Sequence, residues 1–222
     1  MKLNLALATL AALLFAETAH AYVVPTYRDL KPATQVMLEH DAITDPIVTT
    51  TNYILTTNDG PSSAAVKTIT SFSHQPDVAR NLTITPTGTT GDVESCVVTV
   101  SGTNIKGSSI SEDFTFAADA SSAQTGSKAF KTITSISWAA SCESGGFAAT
   151  WIVGVGEKLG LKHCLAQAGD WAWSVVAGSY ESTRATVAVN ASAVESNTAD
   201  FNGTMNGSND FDAYYIQNFR CL

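Results

Sequence analysis

Charge is scarce in this chain: Asp, Glu, Lys and Arg make up only 14% of its 222 residues, and 12 basic against 20 acidic residues leave a formal net charge of −8. Nucleic acids and anionic lipids are held by basic patches that release counterions, so neither is an expected partner. Long apolar runs are missing after Ala21. A membrane-spanning helix needs ~20 of them, so no insertion is expected of the mature chain. Cysteine is present but never in the C-x-x-C spacing of a zinc or redox site. The histidines His20, His40, His74 and His163 fall in no G-x-S-x-G or H-E-x-x-H setting, which leaves no catalytic constellation. His163 beside Cys164 is the nearest approach to one, and on a strand such neighbours point to opposite faces. No 20 to 50 residue period repeats, which argues against a solenoid or propeller.

What is present begins with a secretory signal, Met1 to Ala21: Lys2, an apolar run from Leu3 to Ala16, and a small-x-small site at Ala19-His20-Ala21. An exported, disulfide-permissive location follows, either secreted or on a virion surface. Cys96, Cys142, Cys164 and Cys221 are then expected as two disulfides. Three pairings are open, with Cys96–Cys142 and Cys164–Cys221 preferred because they tie neighbouring strands and pin the C-terminus. Sequons at Asn81, Asn190, Asn202 and Asn206 are glycosylation candidates.

The body is rich in Thr, Ser, Asn, Gly and β-branched residues, the composition of strands and turns. Tyr22 to Gly60, broken by Pro25, Pro32 and Pro46, reads as an N-terminal arm or leading strand. From Pro61 to Leu222, roughly eight to ten short strands with regular turn signals predict an all-β domain, a β-sandwich of Ig-like or jelly-roll-like type. Cys96, Val98 and Val100 share one strand face, and Phe114 and Phe116 another. Ile133 and Ile136 break alternation, which predicts a bulge. Gly154-Val155-Gly156-Glu157-Lys158-Leu159-Gly160 lacks the G-K-[ST] ending of a phosphate loop and reads as a turn with unusual backbone angles. Arg80 is placed at the surface, solvated or paired with Asp77 or a neighbouring subunit.

Two surfaces are candidate binding sites. Trp171 and Trp173, two apart on a strand, are expected on one face, as core or as an exposed platform for a subunit or a glycan. Asp210 and Asp212 sit among Asn and Gly without the EF-hand pattern, so a solvated turn is favoured and calcium is the one cofactor left open.

Several blocks in order carry a resemblance. They are Thr68-Ile69-Thr70, Gln75-Pro76-Asp77-Val78-Ala79-Arg80-Asn81-Leu82-Thr83-Ile84, Val98-Thr99-Val100-Ser101-Gly102-Thr103-Asn104, Gly126 to Ile136, Val153 to Leu161, and Ala193 to Ile216. Over Val66 to Ile216 the chain resembles tailed-bacteriophage virion structural proteins of the capsid or decoration type. The resemblance implies a non-catalytic β-domain that forms or decorates a virion surface as an oligomer. With the export signal, the expected function is a structural protein that self-associates or decorates a shell or an extracellular fibre. A secreted carbohydrate-binding or adhesive module is the alternative.

Overall fold

The computed structural model describes residues 37–61, 65–88, 92–142 and 149–218. In chain order its strands are β1 (Leu38–Ile43), β2 (Thr50–Asp59), β3 (Lys67–Ile69), β4 (Arg80–Thr87), β5 (Cys96–Thr103), β6 (Ser109–Phe116), β7 (Gln124–Thr125), β8 (Thr132–Trp138), β9 (Thr150–Gly160), β10 (Trp171–Val176), β11 (Ser179–Tyr180), β12 (Thr186–Ala188), β13 (Thr198–Asp200) and β14 (Phe211–Ile216). Apart from short 3-10 turns at Ala140–Cys142, Ala168–Asp170 and Val194–Ser196, no helix occurs among the described residues. The protein is all-β, as its composition predicts, and its antiparallel sheets stack as a sandwich.

Three sheets share the work. The first runs β1-β14-β10-β11, the second β12-β13-β9-β4-β7 with β2 also on β9, and the third β3-β8-β5-β6. Strand β9 organises them. It gives one edge to β4 from Thr150 to Leu159. Its other edge is divided between β2 at the Thr150 end and β13 at Leu159 and Gly160. The same strand feeds two apolar cores. Trp151, Val153 and Val155 join Leu82, Val98, Phe116 and Trp138 between the second and third sheets. Leu159 joins Trp171, Ala199, Phe211 and Tyr215 beneath the first sheet.

Local pattern explains most strands. In β5 buried and half-buried residues alternate, with Cys96, Val98 and Val100 inward as period two requires. The expected bulge is present: Ser101 faces Ser135, but Gly102 faces Ile133, so Thr134 is the extra residue and both Ile133 and Ile136 reach the core. Cys96 and Cys142 form a disulfide with Cα atoms 4.9 Å apart.

Two sequence expectations are corrected, for the glycines and for Arg80. Gly154, Gly156 and Gly160 lie inside β9, not in a turn, and positive φ among the described glycines occurs only at Gly107, Gly178 and Gly207. These glycines serve close approach: a Cβ on Gly154 would collide with the Thr50 carbonyl, and one on Gly156 with the Asn81 amide. The segment expected as an arm or leading strand forms strands in its described part, where β1 pairs along its length with β14 and β2 with β9. Pro46 lies between β1 and β2 and interrupts neither strand. Residues 22–36, like residues 1–21, which are expected as a signal, lie outside the described residues. Arg80 is not at the surface either; it is fully buried.

Replacing Gly154 with Ala should lower the stability by about 3 kcal/mol, through overpacking against β2. Gly169→Ala, where the new methyl would meet nothing closer than 3.7 Å, should stay within about 0.5 kcal/mol of the parent. Urea unfolding of the two variants checks the contrast.

Candidate functional site: the outward face of the first sheet

Strand β14 buries Phe211, Ala213 and Tyr215 and turns Asp212, Tyr214 and Ile216 outward. Its neighbours add to the outward face in register. Leu38 stands opposite Ile216, His40 opposite Tyr214, and Ala42 opposite Asp212. On the other side Trp173 stands beside Tyr214 and Val175 beside Asp212. Tyr180 of β11 extends the row from Val175. Leu38 is 51% exposed and Tyr180 69%. The one charged side chain on this face, Asp212, accepts a hydrogen bond from His40 Nε2 at 2.7 Å.

The aromatic rings form a ladder. Tyr214 stacks on His40 at 4.5 Å between centroids and on Trp173 at 4.8 Å. These separations match the spacing of neighbouring strands, about 4.8 Å. The rings therefore stand upright on adjacent strands and spend their faces on one another, so both faces of Tyr214 are covered.

Trp171 and Trp173 do not share a face. The register slips between them, with Trp171 opposite Tyr215 and Trp173 opposite Tyr214. The bulge at Ala172 sends Trp171 inward, where it is 3% exposed and stacks with Tyr215 and edge-on with Phe201. Only Trp173 belongs to the outward face. Period-two reasoning fails at a bulge, and nothing in Trp171-Ala172-Trp173 announces one.

Beneath the face, Asp41 is almost fully buried. Its Oδ2 accepts hydrogen bonds from the Tyr215 hydroxyl at 2.6 Å and the Lys162 backbone N–H at 2.7 Å. The Lys162 ammonium lies 3.5 Å from Oδ1. Burial, then the Asp41 charge, push the Tyr215 phenol far above its ordinary value, so it remains protonated.

A second buried charge lies at Arg80. Its guanidinium donates to the Gly156 carbonyl from Nε at 2.8 Å and also from Nη2. From Nη1 it reaches the Ile47 carbonyl at 3.0 Å and Asp77 at 3.2 Å, and from Nη2 the Met205 sulfur at 3.2 Å. Asp77 in turn accepts from the Ile47 N–H at 2.8 Å. Burial lowers the guanidinium's pKa, and the Asp77 charge opposes that shift. These bonds occupy the group structurally.

No protein-family model, curated protein or solved structure matches this chain.

The remaining candidates are dispersed. Asn81 is fully buried, its amide donating to the Gly126 carbonyl at 3.1 Å and accepting from the Lys158 N–H at 2.9 Å. A glycan has no room there. Asn202 and Asn206 are exposed, and Asn190 is half-exposed. Asp210 Oδ1 accepts from the Asp45 N–H at 3.3 Å, while Asp212 is engaged by His40. No group of three or more His, Cys, Asp or Glu fit to hold a metal occurs among the described residues. Cys164 is buried and disulfide-bonded, which withholds the thiolate a nucleophile needs. Cys221 lies outside the described residues. His163 lies in a bend rather than a strand and faces Glu39 at 3.6 Å.

Two outcomes follow. Above pH ~10 the unfolded chain releases the Tyr215 proton while the folded chain keeps it, so stability falls as pH rises through that range. Tyr215→Phe should flatten the decline in urea midpoint between about pH 9 and 11, relative to the parent. In a glycosylating secretory host, peptide mapping of the folded, secreted fraction should find glycan at Asn202 and Asn206 and none at Asn81.

Proposed function

We propose that this chain is a non-enzymatic structural protein that assembles with copies of itself, or onto a shell or extracellular fibre, through the outward face of its first sheet. The observation that carries the reading is the row Leu38, Ile216, His40, Tyr214, Trp173, Val175 and Tyr180, apolar or aromatic and turned away from both cores. Folding alone gives no reason to place these residues outside. Aromatic residues are enriched where protein surfaces meet, and a ladder fixed by its own stacking loses little side-chain entropy on contact. The residues Met1 to Ala21, with the pattern of a secretory leader, support work outside the cytoplasm.

The ladder suits a protein partner better than a glycan. A sugar stacks on an open ring face, and here Tyr214 has none to offer. A partner β-surface needs ridges and edges, which upright rings provide. A stable contact of this kind covers about 800 Å² on each side.

Sedimentation velocity over a wide concentration range tests the reading. The full secreted chain should self-associate, and the double variant Leu38→Lys/Tyr180→Glu should weaken association at least about tenfold, the equivalent of 1.4 kcal/mol. Both side chains are more than half exposed, so folding should be retained. A parent chain that stays monomeric at every concentration, and that binds no shell or fibre from its native source, would remove the proposal.

A further inference from the structure

Away from the ladder, two hollows of about 240 and 220 Å³ adjoin one another and share Thr49, Glu157 and Asp200 as common walls. Thr83 and Thr125 line the first. Val48 and Asn202 line the second. Two of the polar groups here are not used by the fold. Thr83 Oγ1 is shut off from solvent and has no hydrogen-bond partner. The Asp200 carboxylate, half-buried at the end of β13, takes no hydrogen bond or ion pair among the described residues. A hydroxyl that can donate once and accept twice is costly to leave empty in a protein interior. Val48, 55% exposed, supplies an apolar rim.

We infer that these joined hollows bind a neutral oligosaccharide, a function beyond the assembly reading and independent of it. Each hollow is comparable in size to a sugar ring. Carboxylates and threonine hydroxyls are the complements of vicinal sugar hydroxyls, which donate and accept at once. The apolar rim matches the C–H face of a pyranose. Charge selects among sugars: Glu157 and Asp200 outnumber the single cation of the wall, Lys158, and so repel uronic and sialic acids. A metal centre is a poorer fit, since the two carboxylates have no third His, Cys, Asp or Glu with them.

The test uses the full secreted chain against immobilised neutral gluco-, galacto- and manno-oligosaccharides, with sialylated and uronate counterparts. At least one neutral series should bind and the acidic counterparts should not. Thr83→Val, which keeps the shape and removes the hydroxyl, and Asp200→Asn, which keeps the shape and removes the charge, should each weaken binding about tenfold or more. Leu38→Lys/Tyr180→Glu should leave sugar binding unchanged, which separates this site from the assembly surface. The inference is overturned by an array on which no neutral sugar binds. Equally, it fails if folded Asp200→Asn protein, with a parental melting curve, binds as the parent does.

Discussion

A guanidinium without access to water sits where the two cores meet, and the architecture depends on it. Arg80 ties the Ile47 carbonyl in the β1–β2 connection to the Gly156 carbonyl in β9 and to Asp77 just before β4. Asp77 closes the loop by accepting from the N–H of the same Ile47. A buried charge survives only when its donors are satisfied, and removing one member of such a group costs about 3–5 kcal/mol. The arrangement thus does two things at once. It holds β2 on β9, and it fixes the point at which β9 passes from one core to the other.

That passage needs glycine. At Gly154 the backbone of β2 comes so close that no Cβ fits, and at Gly156 the space belongs to the Asn81 amide. Asn81 and Arg80, neighbours at the start of β4, therefore both bind β9, one through Lys158 and the other through Gly156. The cost of burying an amide and a guanidinium is offset by giving their polar atoms backbone partners. Around this joint the sheets are free to present different surfaces. The first sheet offers its aromatic ladder, while Thr83 of β4 and Asp200 of β13 border the hollows.

Much of the fold was legible in the sequence. Period-two alternation placed Cys96, Val98 and Val100 on one face of β5 and Phe114 and Phe116 on one face of β6, and the misfit of Ile133 with Ile136 revealed the bulge in β8. Cys96 in phase with Val98 and Val100 pointed to a core cysteine, and its partner is Cys142. The candidate site was only half legible. Trp171 and Trp173 are expected together, as core or as platform, whereas one is core and the other outward; His40, Tyr214 and Tyr180 were not singled out. Their importance comes from lying side by side across strands that the chain keeps apart, by 172 residues for His40 and Asp212.

The sequence by itself determined the class of structure, because strand propensity, alternation and turn chemistry are properties of neighbours along the chain. Only the tertiary structure decided which tryptophan faces solvent, whether Arg80 and Asn81 are inside, and why three glycines interrupt a strand. Each of these depends on what a distant segment brings within a few ångströms, and a linear pattern carries no record of that distance.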